Sequence, residues 1–189
     1  MDIYEAIKGR RSIRKFKPDP VPKNVLEKAL EMATWAPSGV NRQNWYFVVI
    51  GGNKKDGLVE IAGESYEYAE PVLKEVFKDR PRVVVSTEKF FRTLGGAPVV
   101  IVAYYEPTRE RPETCVQTVA AAIENLLLAI YAQGLGACWM TGPLHVSEKI
   151  DEFLGVENKT LVAVIPVGYP DQSPPAPKRR LDRVVYEGL

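Results

Sequence analysis

The chain has 189 residues, enough for one sizeable core and short for two independent domains, so residues 1–189 are expected to form a single domain. Its 46% hydrophobic and 26% charged residues are those of an ordinary globular protein, which excludes a disordered or low-complexity chain. A formal net charge of +1 gives no global attraction to nucleic acid or an anionic membrane, so any basic site must be local.

The opening "MDIYEAIKGRR" has acidic residues and no apolar stretch of the kind a signal peptide needs. Residues 2–9 and 23–36 place apolar side chains at helical spacing, with Val25, Leu26, Ala29, Leu30 and Ala33 forming one stripe. Pro22 suits a helix start and Pro37 its end. The stretch "TWAPSGVNRQNWY" at 34–46 then crowds Asn41, Arg42, Gln43 and Asn44 where a helix meets the β-rich run "WYFVVI" at 45–50. A turn is its simplest explanation. Residues 53–95 are read as two or more charged, Tyr-containing segments punctuated by Gly63, Pro71, Pro81 and Gly95. Glu64, Glu67 and Glu70 are expected to share one helical face, as a solvated surface more than as an acid/base pair.

The run "PVVIVAYY" at 98–105 predicts a strand covered on both faces. A helix over roughly 114–133 follows, apolar nearly all round and stopped by Gly134. Glu124, Asn125 and Gln133 would be costly in hydrocarbon, so it reads as a buried helix and not a membrane span. Glu124 and Asn125 are expected to cap or bridge neighbouring elements across an interface. "ACWMT" at 137–141 predicts a short strand, 146–154 a short helix, and 160–170 a buried strand. The Pro-rich, basic tail from 171 is expected to wrap over a surface.

The chemical inventory is sparse. One histidine, His145, leaves no room for a Ser-His-Asp triad or a multi-histidine metal centre, and no metal is expected. "GLGACW" at 134–139 lacks the third glycine of a dinucleotide fingerprint and follows a helix, so Gly134 reads as a helix stop. Cys115 and Cys138 are too few and too far apart for a disulfide framework, which points to a reducing cytoplasm. A cofactor would have to carry any difficult chemistry. "GRRSIRKFK" at 9–17 and "PKRRLDR" at 177–183 are two basic clusters able to hold a phosphate, or a solvated basic surface. Neither has the interleaved aromatic platform of a nucleic-acid surface, so no nucleic acid is expected as partner.

Four segments taken in order resemble the nitroreductase family of flavin enzymes: "RRSIRKF" at 10–16, "APSGVNRQNWYFVVI" at 36–50, "GLGACWMTGP" at 134–143, and "IPVGYP" with "PKRRL" at the end. The resemblance spans nearly the whole chain. It implies an α+β fold, a central mostly antiparallel sheet flanked by helices, in an intertwined homodimer with FMN at the subunit interface. It implies that Arg10, Ser12, Lys178 and Arg180 hold the FMN phosphate and ribityl end, assisted by Arg11, and that Arg14 lies by the pyrimidine edge. Backbone amides around Met140, Thr141 and Gly142 are expected to meet N5 and O4 of the flavin. Pro37, Ser38 and Gly39, with Asn41 and Gln43, are expected to reach the flavin bound mainly by the other subunit; Gly39 stands where many relatives have serine.

The activity implied is ping-pong: NADH or NADPH delivers hydride to FMN N5, then a nitroaromatic, quinone or similar small acceptor is reduced, with no catalytic protein side chain. Residues 53–95 correspond to the variable part that covers the substrate face, and 171–189 to a C-terminal extension. Tyr66, Tyr68, Phe90 and Phe91 are candidates to stack on an acceptor, against the alternative of core filling. Rival readings are a specialised reductive, dehalogenase-like member, a flavin-binding redox sensor, and a nucleic-acid-binding domain.

Overall fold

The computed structural model describes residues 1–188. Four strands form one antiparallel sheet in the order β1-β2-β4-β3, with β1 Trp45–Gly51, β2 Val99–Tyr105, β3 Gly136–Ala137 and β4 Thr160–Gly168. The central strands β2 and β4 are buried along almost their whole length, as their unbroken apolar runs require. β1 and β2 pair in continuous register from Trp45 opposite Tyr105 to Gly51 opposite Val99.

Side-chain alternation along β2 divides the core in two. Ile101, Ala103 and Tyr105 pack towards α2 (Lys23–Ala33) and α6 (Pro112–Ala132). Val100, Val102 and Tyr104 pack on the other face, with Leu58 of α3 (Gly52–Glu64), Phe90 of α5 (Pro81–Thr93) and Ile150 of α7 (Ser147–Leu154). The fold is thus α+β, with a helix layer on each side of one sheet. α1 (Ile3–Gly9) starts in a capping box, Glu5 N–H donating to Asp2 Oδ1 at 2.8 Å and Asp2 N–H to Glu5 Oε2 at 3.0 Å.

α6 is long and apolar enough to cross a bilayer by length and composition, yet eight of its residues, among them Val119, Ile123 and Leu126, are built into the core. Its polar side chains tie it to neighbours: Asn125 Nδ2 donates to Met32 O at 3.4 Å and Gln133 Nε2 to Val25 O at 3.1 Å, both on α2, while Glu124 pairs with Arg10 at 3.4 Å. The bridging expected of Glu124 and Asn125 is present, and it joins elements of one chain.

Residues 53–95 are almost entirely helical, with α4 (Tyr66–Val76) between α3 and α5. Two expectations are corrected here. Glu64 closes α3 while Glu67 and Glu70 lie on α4, because the chain turns at Ser65, whose Oγ donates to Ala62 O at 2.6 Å; the three carboxylates are not on one helix, though Glu64 and Glu67 still line one cavity with Lys149. Glu64 instead pairs with Lys149, and Glu70 with Lys74. The strand expected at 137–141 shrinks to Gly136–Ala137 plus an isolated bridge from Met140 to Val164, since Gly142 to Val146 wind into a 3-10 helix.

Candidate active site

The basic segment after α1 runs along the free edge of β3. Ser12 bridges Ala137 in parallel fashion and Ile13 N–H donates to Ala137 O at 2.9 Å. Further on, Lys17 N–H donates to Tyr169 O and Asp171 N–H to Lys15 O, both at 2.9 Å. The Lys15 ammonium, by hydrogen bond and charge, holds the Asp171 carboxyl below its usual range. The fold therefore brings the first basic segment against residues 169–174.

Arg10, Ser12 and Arg14 belong to the edge segment that runs past Cys138. Burial pushes its thiol pKa up, and Arg14, Ser12 and Arg10 oppose that shift from close by. A cavity of about 310 Å³ is lined by Arg10, Arg11, Tyr131, Gly134, Gln172 and Ser173 among others, while Arg14 lines a separate one of about 650 Å³ that shares Gln172 and Pro174 with it. Arg10 Nε and Arg11 Nε are buried with no hydrogen-bond partner, Glu124 lying near Arg10 but out of line. Arg11 Nη1 is spent on the carbonyls of Lys8 and Arg10, at 2.6 Å each, so this side chain caps the end of α1. Buried donors without acceptors beside a cavity are suited to an anionic ligand.

Met140, Thr141 and Gly142 follow along the same edge. Met140 N–H donates to Val164 O at 3.0 Å, so its amide is engaged in the sheet and not free for a ligand, contrary to expectation. Thr141 and Gly142 open the 3-10 helix, where the first amides have no intrahelical acceptor. A Cβ at Gly142 would stand 2.5 Å from Phe91 Cε1, so glycine lets α5 lie directly on this turn.

The four aromatic candidates separate by burial. Tyr66 is 2% and Phe90 4% exposed, and both fill the core beneath α3 and α5, where no acceptor can stack. Phe91 is half-buried against Gly142 and edge-on to Tyr66, with ring centroids 5.8 Å apart. Tyr68 is exposed and lies flat on His145 at 4.8 Å and 5°.

The loop from Pro37 to Asn44 is a second, separate centre. Gln43 N–H donates to Ser38 Oγ at 3.1 Å and Gln43 Nε2 to Asn41 Oδ1 at 3.0 Å. Of the polar residues crowded here, Asn41 and Gln43 are spent on the loop's own shape, while Arg42 and Asn44 reach Glu110 and Glu106. A cavity of about 510 Å³ there is lined by Glu31, Thr34, Trp35, Ala36, Asn41 and Gln43, none of them from 10–14, and the cavity beside Arg10 holds no residue of 37–43. One chain does not bring the two motifs to one cavity.

Lys178 and Arg180 are not brought to Arg10 either. Both are exposed on the tail, Arg180 pairs with Asp182 at 3.5 Å, and among the described residues from 171 onward Gln172, Ser173 and Pro174 are those that reach the cavity. The side chains missed from sequence are Glu110, which pairs with Arg42, and Cys138. The acidic residue within "TRERPE" after a buried strand was the available signal for the first; nothing in the spacing marks the second.

The description "Nitroreductase family" matches residues 7–169. A protein of Methanothermobacter thermautotrophicus named for NADH dehydrogenase and NAD(P)H nitroreductase activity is 32% identical, covering 92% of this chain and 80% of its own length. Iodotyrosine deiodinase of Thermotoga neapolitana is 28% identical, covering 97% and 95%. Among solved structures, a nitroreductase-type protein of Desulfovibrio desulfuricans in complex with FMN superimposes with a TM-score of 0.77 at 26% identity, covering 100% of this chain and 98% of that one.

Proposed function

This chain belongs to the nitroreductase family, and from that premise we propose that it is an FMN-dependent oxidoreductase that draws electrons from NADH or NADPH and passes them to a small oxidised acceptor. The observation that carries the reading is the basic segment 10–14 held on one edge of the sheet, with Arg10 and Arg11 lining one cavity and Arg14 a second that shares Gln172 and Pro174 with it, inside the matched segment. Bound FMN would supply the redox chemistry, accepting hydride at N5 from the nicotinamide and releasing two electrons to the acceptor in a ping-pong sequence.

The protein's part is binding and electrostatics. Arg10 and Ser12 hold the phosphate and ribityl end, and Arg14 places a cation by the pyrimidine edge, where it favours the reduced anion. Thr141 and Gly142 offer amide donors to the ring edge. No side chain is asked to act as nucleophile or obligatory base.

The site is completed by a second copy of the chain. Pro37, Ser38, Gly39 and Asn41 stand apart from the arginine cluster within one protomer, which supports a homodimer in which they meet the partner's flavin. Lys178 and Arg180 join the phosphate in that assembly. Helices α3 to α5 cover the acceptor side, with Tyr68 and Phe91 as the aromatic residues available to it. Two free cysteines suit the cytoplasm.

Nitroaromatics and quinones are the first acceptor classes to test. A reductive dehalogenase is the second reading, favoured by the deiodinase relative that matches 97% of the chain. The purified protein should carry or take up FMN and oxidise NADH or NADPH with a quinone or nitro compound. A protein that binds no FMN refutes the proposal, and turnover of a halophenol but of neither other class selects the second reading.

A further inference from the structure

We propose that Glu110 is a positioning residue for the cofactor loop, clamping Ser38–Gln43 through Arg42 and Gly39; this rests on the flavin reading above. The loop needs such a clamp. Val40 at φ 46°, Asn41 at φ 55° and Gln43 at φ 52° are three non-glycine residues in the left-handed region, and for a β-branched valine that is an outlier. Strained backbone of this kind persists only where its surroundings over-determine it.

The bonds inside the loop, from Gln43 to Ser38 and Asn41, fix its shape but not its place. Two links fix its place, and both run to the connection between β2 and α6. Asn44 exchanges bonds with Glu106, its Nδ2 donating to Glu106 O at 3.1 Å while Glu106 N–H donates to Asn44 O at 2.8 Å. These hold the base of the loop. At its tip, Arg42 Nε donates to Glu110 Oε1 at 3.1 Å.

Glu110 is itself held. Its N–H donates to Thr108 Oγ1 at 3.1 Å, and that hydroxyl sits 3.5 Å from the sulfur of buried Cys115 in the first turn of α6. Its carboxylate also lies against the loop backbone: a Cβ at Gly39 would be 3.3 Å from Oε1 and 3.4 Å from Oε2. Gly39 has no positive φ, and its open side faces the Glu110 carboxylate at near-contact distance. Core, Thr108, Glu110, Arg42 and the loop form one continuous line.

The ion pair is partly solvated, so its contribution to global stability is small, while its effect on where the loop sits is direct. Glu110→Gln in the full-length protein should weaken FMN binding roughly tenfold by fluorescence titration, with the melting midpoint of the FMN-free protein nearly unchanged. Glu110→Asp should fall between, and the charge-swapped Arg42→Glu/Glu110→Arg should recover most of the lost affinity. Amide hydrogen exchange over 38–43 in the FMN-free protein should be faster in Glu110→Gln and slow again in the swap. Unchanged FMN affinity in Glu110→Gln, or a swap no better than the single variants, overturns the clamp. If the wild-type protein takes no FMN, the flavin reading fails; exchange at 38–43 that is indifferent to Glu110 refutes the clamp on its own.

Discussion

Replacing Gly95 with alanine tests how closely the arginine segment is fitted to the fold. Gly95 has φ +68°, and a Cβ there would stand 2.4 Å from Arg14 O and 2.7 Å from Arg14 C. Those are backbone atoms, and the same segment is pinned by Phe16 N–H donating to Gly95 O at 3.0 Å. Neighbouring Gly96 is the control, with φ +73° but nothing nearer its Cβ position than Phe16 O at 4.0 Å. Gly96→Ala should lose only the left-handed backbone preference, about 1–2 kcal/mol. Gly95→Ala adds a clash that must move the Arg14 backbone, a further ~1–3 kcal/mol, for a total of about 2–5 kcal/mol. For a chain of this size each kcal/mol lowers the melting midpoint by roughly 2–4 °C. Urea denaturation of both variants measures the difference, and FMN titration should show weakened binding in Gly95→Ala alone. Equal destabilisation, or unaltered FMN affinity in Gly95→Ala, would refute the close fit.

Phe90→Ala should cost about 3–5 kcal/mol of stability, as expected for a buried aromatic, whereas Tyr68→Ala should leave the denaturation midpoint nearly unchanged and alter KM for the acceptor; the reverse pattern would return Phe90 to the acceptor surface. Arg10→Ala should weaken FMN by about 10- to 100-fold and leave riboflavin, which lacks the phosphate, bound as before; equal losses for both flavins would place Arg10 elsewhere. Asp151 carries an Oδ1 with no hydrogen-bond partner, near the buried Tyr104 hydroxyl, which also has none. Burial raises the Asp151 pKa above its unfolded value of 3.8, with Glu148 adding to the shift and the Tyr104 hydroxyl offsetting part of it. The stability tied to that proton is therefore present below the unfolded value and lost as pH rises through the folded one. Asp151→Asn should be more stable than the parent at pH 7 by up to about 1 kcal/mol, discounted for partial exposure, and the gain should vanish near pH 4. A gain that does not depend on pH would contradict this assignment.

The sheet was legible because its strands are apolar runs that nothing else explains. "WYFVVI", "PVVIVAYY" and the run from 160 become β1, β2 and β4 within a residue or two at most ends. α6 was legible for the same reason, while 53–95 was not. Gly63 and Pro71 read as breaks, yet Gly63 lies within α3, where it lets Arg92 of α5 approach (a Cβ would meet its Cα at 3.2 Å), and Pro71 lies inside α4. At Gly63 tertiary packing overrode local preference.

The site divides along a similar line. A contiguous motif such as Arg10, Ser12 and Arg14 stays on one edge segment after folding, with Arg10 and Arg14 lining two cavities that share Gln172 and Pro174. The partners of contacts between distant segments could not be read from the sequence. Met140 lost its amide to Val164, Tyr66 and Phe90 sank into the core, and Glu110 reached Arg42 across 68 positions. Glu124 was visible as a costly charge, but its partner Arg10 was not.

The most direct test is an anaerobic absorbance titration of the purified, FMN-loaded protein with NADH and NADPH. The expected result is a bound flavin spectrum, loss of its visible absorbance on adding one nicotinamide or both, and its return when a quinone or nitro compound is admitted. A protein that stays colourless after incubation with FMN, or whose bound flavin neither nicotinamide reduces, would contradict it.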